Sequence, residues 1–135
     1  MAKETGLGFA VSVDDSGGTL RDISNDIVSF SLNTPRGVQD VTGIDKSAME
    51  RLLLLADGQI SLNGVFNADA SNMSHDVFKT VPSTSVERTV TSVHSGQTLS
   101  MECLFSDYNL TRAADGSLTW TATGQLSDGT APTWT

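Results

Sequence analysis

The sequence predicts a mainly β fold, an antiparallel β-sandwich or barrel with one flanking α-helix and a second short helix. Three observations carry that prediction. Several segments alternate apolar and polar residues with period two, the pattern of a half-buried strand. Ser and Thr make up about a quarter of the 135 residues, Gly adds twelve, and charged residues are only 18%. That profile suits Thr-faced strands joined by Gly-, Asn- and Asp-rich turns. Tight-turn sequences also stand between the alternating segments.

Taken in order, residues 8–14 and 26–32 read as strands of weak alternation. Residues 33–44 (NTPRGVQDVTGI) are polar and unpatterned and read as a long loop, a length that goes with function in compact domains. Residues 46–56 read as a helix. Asp45 is its N-cap, Gly58 its C-terminal stop, and Met49, Leu52, Leu53 and Ala56 form an apolar stripe with Leu55 beside it. Leu54 falls near the polar side, where it suits contact with another subunit. Residues 59–66 alternate, with Ile60, Leu62 and Phe66 on one face and Gln59, Ser61 and Asn63 on the other. A short helix is expected over 75–81, capped by Ser74 and ended by Pro82. Residues 86–93 form a weak strand that turns through His94-Ser95-Gly96-Gln97 into the long segment 98–110. There Leu99, Met101, Cys103 and Phe105 share one face, while Leu104, Tyr108 and Leu110 fall on the opposite one. The change of phase predicts a bulge or strong bend near residues 105–107, in a strand that serves two sheets. Ala114-Asp115-Gly116 turns into 117–126, where Leu118, Trp120, Ala122 and Leu126 oppose Ser117, Thr119, Thr121, Thr123 and Gln125. The last three strands therefore form an antiparallel meander. The tail, 127–135, ends in Pro132-Thr133-Trp134-Thr135, and its Trp is expected to bury against something.

The length suits one domain, residues 1–135, and no repeat, linker or composition shift divides it. Eight Lys and Arg face sixteen Asp and Glu, a formal net charge of −8. A free-standing nucleic-acid binder carries a basic stripe, and an anionic membrane surface attracts one, so both classes are disfavoured. The opening MAKETGLGFA has no apolar core of a signal peptide, and the longest apolar run, Leu52 through Ala56, is far short of a membrane span. A soluble protein made in a reducing cytoplasm is expected.

Little chemistry-bearing pattern is present. One cysteine, Cys103, cannot form an internal disulfide and reads as a small buried hydrophobe. His94 reads as an exposed turn residue. His75 stands beside Asp76, but no activated nucleophile is near it in sequence. Asp14-Asp15-Ser16-Gly17-Gly18 lacks the spaced acids and closing Glu of a calcium loop and reads as a plain turn. No metal site, cofactor or catalytic residue is expected, and the chain is read as a non-enzyme. The negative charge serves solubility, or lines a surface past which a polyanion moves without sticking.

The stretch 41–67, VTGIDKSAMERLLLLADGQISLNGVFN, resembles the core of phage major tail proteins. These are the tail-tube subunits of long-tailed, non-contractile (siphovirus-type) bacteriophages, particularly those infecting actinobacteria. The likeness continues in SHDVFK (74–79), FSDY (105–108) and LTRAADGSLTWTATGQLSDGTAPTWT (110–135), and with MAKETGLG it covers most of the chain. None of these strings is a catalytic signature, so the likeness is one of overall pattern. It implies a single tail-tube domain whose subunits close into rings, usually hexamers, around a β-barrel lumen. Rings stack into the conduit for DNA ejection. DNA passes without specific binding, and no membrane is involved. Expected partners are further copies of the chain, a tail tip or baseplate initiator, a tape measure protein and a tail terminator. The implied location is the virion tail, after synthesis in the bacterial host cytoplasm. Some relatives append an immunoglobulin-like domain, and none is expected here. In this reading 33–44 is an inter-ring loop and 127–135 a C-terminal arm. Arg36, Asp40, Leu54 and Trp134 are the candidate contacts between rings or subunits. Thr119, Thr121 and Thr123 are the candidate lumen residues, with Glu102 as their acidic partner. A contractile tail has an inner tube of the same fold. Other readings are a capsid decoration or head–tail connector protein, and a small β-sandwich ligand-binding module, for instance for carbohydrate.

Overall fold

The computed structural model describes residues 3–68 and 73–135; Met1 and Ala2 of the opening motif lie outside them. In chain order the described elements are β1 (Ala10–Asp14), β2 (Leu20–Asp22), a 3-10 turn (Ser24–Asp26), β3 (Ile27–Asn33), β4 (Arg36–Asp40), β5 (Arg51–Ala56), β6 (Gln59–Val65), α1 (Ser74–Phe78), β7 (Arg88–His94), β8 (Gln97–Arg112), β9 (Leu118–Leu126) and β10 (Thr133–Trp134). The fold is mainly β and its sheets are antiparallel. The main sheet runs β2-β1-β7-β8-β9-β6-β3, with β10 added to β8, while β4 and β5 pair only with each other.

The main sheet curls. Phe9, just before β1, and Phe30 on β3 have ring centroids 5.2 Å apart, although their strands stand five places apart in the strand order. Inside the curl one cluster joins Val11 and Val13, Val90, Met101, Cys103 and Phe105, Trp120 and Ala122, and Ile60 and Leu62. α1 closes an opening of this core. Its Phe78 ring lies 5.1, 5.7 and 5.3 Å from the rings of Phe105, Tyr108 and Trp120.

The alternating segments form strands where period two was clearest. β6 buries Ile60, Leu62 and Gly64 in strict alternation, and β9 buries Trp120, Ala122 and Gly124. The turn after β7 holds Ser95 and Gly96 at φ 48° and 80°, the two left-handed residues of a hairpin turn whose twist matches its strands. β8 shifts register between Phe105 and Asp107. The residue inserted there separates residues that simple counting puts together: Leu104 points outward, 47% exposed, while Tyr108 turns to the core side opposite Ala122. β8 pairs with β7 up to Cys103 and with β9 from Cys103 onward, so its halves serve two halves of one curled sheet.

Several expectations fail. Residues 46–56 are not a helix, and 33–44 is not a loop. Arg36–Asp40 and Arg51–Ala56 are the two strands of a hairpin, and Asp45 sits in its connecting turn, where the Lys46 N–H bonds the Gly43 carbonyl at 3.2 Å. Four consecutive leucines have no period, so they fit a helix stripe no better than a strand. Pairing decides: β4 supplies the ladder that β5 completes. The second helix stops at Phe78 and continues as turns. Val81 precedes Pro82, which disfavours helical backbone there. Ser74 does not cap with its hydroxyl, which is buried without a partner among the described residues. Its N–H instead bonds the buried Asp26 carboxylate at 2.9 Å. His94 is not an exposed turn residue; its ring lies 5.0 and 5.5 Å from Phe9 and Phe30. Trp134 does not bury. It is 51% exposed, held by β10 pairing with Leu99 and by a ring contact to His94 at 6.0 Å.

Candidate functional site: the assembly surfaces

Three surfaces of this chain are unusual for a free-standing sheet. The first is a face. Cα partners across an antiparallel pair carry their side chains on the same side, so the registers can be chained. One row reads Ser31, Ser61, Thr123, Asp107, and the next reads Ser29, Asn63, Thr121, Asn109. A third runs Val65, Thr119, Thr111, and a fourth Asn33, Gln59, Gln125, Leu104. Across β3, β6, β9 and the second half of β8 this outward face carries mainly uncharged polar groups, with Val65 and Leu104 in its outer rows. Asp107 is the one ionisable residue in the four rows. Its carboxylate is engaged, accepting the Thr123 N–H at 2.9 Å and the Asn109 amide at 3.2 Å.

Thr119, Thr121 and Thr123 therefore lie together on the face. Glu102 points to the same side of the sheet, two places before Leu104 on β8, but outside the four rows. It stands opposite Thr89 on β7, whose hydroxyl donates to its carboxylate, and beyond the end of β9. The alternation in β9 found the threonines, but only the registers reveal that β3, β6 and β8 extend the same chemistry.

The second surface is a pair of bare edges. β3 ends the strand order, and β8 from Leu104 onward has no strand on its side away from β9 among the described residues. Such edges offer unpaired N–H and C=O groups to another chain.

The third is the β4–β5 hairpin. Every residue of both strands except Ala56 is exposed, including Val38 at 55%, Leu53 at 61% and Leu55 at 90%. Arg36 ties its root, donating from Nε and Nη2 to the Leu54 carbonyl at 3.0 and 2.9 Å. Asp40 accepts from the Thr42 hydroxyl at 2.6 Å and N–H at 2.9 Å, bonds that hold its carboxyl below the usual carboxylate range. Arg36, Asp40 and Leu54 thus fall on one hairpin. Trp134 lies apart, on the β8 side of the main sheet.

The remaining reactive groups are structural. Cys103 is fully buried, and burial, with the charges of Glu102 and Asp128, pushes its thiol up to about 12. His75 Nδ1 meets the Tyr108 hydroxyl at 3.1 Å, and burial with the Asp26 charge pushes that phenol up to about 12. Asp15 Oδ1 accepts the N–H groups of Gly17 and Thr19, so residues 14–18 form a side-chain-capped turn.

No family model and no curated protein matches the chain. Solved structures do match its fold. A chain from the tail of an empty GTA particle, computed with helical refinement and C6 symmetry, aligns at TM-score 0.75 and 14% identity over 98% of this chain and 99% of that one. A chain from the virion of the native gene transfer agent (GTA) particle aligns at TM-score 0.71 and 14% identity, again over 98% and 99%. A chain from the six-fold symmetrised baseplate of the anti-feeding prophage (AFP) aligns at TM-score 0.70 and 12% identity over 100% and 97%.

Proposed function

We propose that this chain is a tail-tube subunit of a phage-like particle, a structural protein that closes into rings and stacks them into a conduit for DNA. The observation that carries the reading is the four-strand face with a bare edge on each side. β3, β6, β9 and the second half of β8 alternate in direction. An even number of alternating strands puts opposite directions at the two edges. The β8 edge of one copy can therefore continue antiparallel into the β3 edge of the next, and the same head-to-tail seam repeats until the ring closes. Six copies, the symmetry of the GTA tail with the same fold, make a barrel of 24 strands. Barrels of about 16–18 strands already leave an aqueous channel.

In this arrangement Thr119, Thr121 and Thr123 face the lumen with Ser61 and Asn63, and Asp107 supplies its sparse charge. The hairpin bearing Arg36, Asp40 and Leu54, with the arm 127–135 and Trp134, meets the neighbouring ring. The tail tip or baseplate initiator, tape measure protein and terminator are the further partners, and the virion tail is the site of action. The resemblance of residues 41–67 assigns the particle to the siphovirus type of actinobacteriophages. Negative-stain microscopy of concentrated protein tests the reading. Long tubes with a stain-filled channel are expected. Isolated rings or trimers point to a connector or decoration protein. A chain that stays monomeric even with its own tail-tip complex overturns the proposal.

A further inference from the structure

The β4–β5 hairpin carries an apolar knob at one end and an apolar groove at the other. The knob is Ile44. It occupies the first corner of the turn closed by the Lys46 N–H to Gly43 carbonyl bond and is fully exposed. Turn corners favour Pro, Asp, Asn, Ser and Gly, and a β-branched hydrocarbon there gains nothing from this fold. The groove, about 620 Å³, lies at the hairpin root between Leu54, Leu55 and Ala56 on one side and Ala131 and Pro132 of the C-terminal arm on the other. Thr34, Arg36 and Asp57 border it, and Arg36 Nη1 makes no bond among the described residues. Beside the knob the hairpin carries Asp40, Asp45 and Glu50 against Lys46 and Arg51, an acidic excess in which Lys46 is shared between Asp45 at 3.9 Å and Glu50 at 3.6 Å in exposed pairs.

We infer that Ile44 of one copy seats in the groove of a second copy in the adjacent ring, with Asp45 or Glu50 reaching the partner's Arg36. A copy cannot fill its own groove. The hairpin runs from Arg36 at its root to the turn at 43–46, eight steps that span at most about 26 Å at strand rise, so knob and groove stand at opposite ends of one hairpin. Knob and groove on different patches make a heterologous contact, and one that does not close propagates as a stack. The contact also covers Leu54 and Leu55, which an isolated two-stranded hairpin cannot bury. This inference rests on the tube reading and specifies its ring-to-ring contact.

The test mixes two separately purified variants, Ile44→Cys and Ala131→Cys, under assembly conditions with a short bis-maleimide. Cys103 is fully buried and stays silent. A 44–131 cross-link between copies is expected in the mixture, about tenfold above either variant alone. Particles that form without that link overturn this inference and leave the tube reading standing. If neither particles nor link form, and the unmodified chain also stays monomeric with its own tail-tip complex, both readings are overturned. Ile44→Asp gives a second measurement, since the exposed side chain leaves the monomer's circular dichroism unchanged. It is expected to raise the concentration needed for assembly about tenfold, the effect of losing one well-seated apolar anchor. An unchanged threshold overturns the inference.

Discussion

Gly64 shows how closely two backbones approach at the base of the polar face. A Cβ there would lie 1.9 Å from the Asp26 carbonyl oxygen and 2.9 Å from the Trp120 ring. Asp26 cannot retreat, because its carboxylate holds the Ser74 N–H and the Asn67 amide. Gly64→Ala is therefore expected to cost about 3 kcal/mol, measured as a lowered urea midpoint at unchanged slope. A loss below about 0.5 kcal/mol would show that the 3-10 turn shifts freely. Cys103 and Tyr108 make a second residue-scale prediction. Both are acids held neutral in the fold, pushed up to about 12, so the unfolded chain ionises first. Their contribution to stability is complete below about pH 9 and is lost as pH rises toward 12. Urea unfolding should show stability falling between pH 9 and 11, less steeply in Cys103→Ala. A flat profile over that range would contradict the burial argument.

The β4–β5 hairpin is the element whose state depends most on company. Two strands with no third and no packed face are marginal in water. Before assembly, the amides of Leu52 to Leu55 should exchange with solvent quickly, while those of β6 and β9 stay protected; assembly should slow the hairpin amides about a hundredfold. Equal protection in the monomer would mean that the hairpin is stable alone. The same element shows where the sequence was legible and where it was not. In β6, β8 and β9 one face is buried by the chain itself, so period two appears in the residues, and the bulge at Phe105 betrays itself as a phase change. In Arg51–Ala56 neither face is buried by the chain, so the leucines run without period, and Leu, Met, Glu and Arg favour helix locally. Only pairing with Arg36–Asp40, set by contacts outside the segment, resolves the conflict. β2 and β10 are too short to show alternation. Thr119, Thr121 and Thr123 were readable as one face of one strand, whereas the place of Glu102 depends on how β7 and β8 register, which no local pattern encodes.

For the whole molecule, net charge and the charge of one face are separate quantities. The chain carries a formal −8, yet the four rows of the polar face hold Asp107 alone, and Glu102 lies on the β7 side. The sequence left open a negatively charged surface past which a polyanion moves without sticking, with Glu102 as the acidic partner of the threonines. The four rows carry mainly hydroxyls and amides and no cation; in the proposed tube such a wall gives phosphate nothing to bind. Counterion release makes each added cation count toward DNA affinity. Thr121→Lys places one lysine per copy at the centre of the face without touching the core, since Thr121 is exposed between Asn63 and Asn109. Tubes of that variant should assemble normally but retain duplex DNA at low salt and release it steeply as salt rises, while unmodified tubes retain little at any salt. Thr19→Lys, on the β1–β2 turn at the far end of the strand order, supplies the comparison, with retention close to the unmodified level. If the two lysines act alike, the face of β3, β6, β9 and β8 is not the wall that DNA passes, and the seam between β8 and β3 edges loses its main support. If only Thr121→Lys holds DNA, the neutrality of the face is the property that lets a polyanion slide.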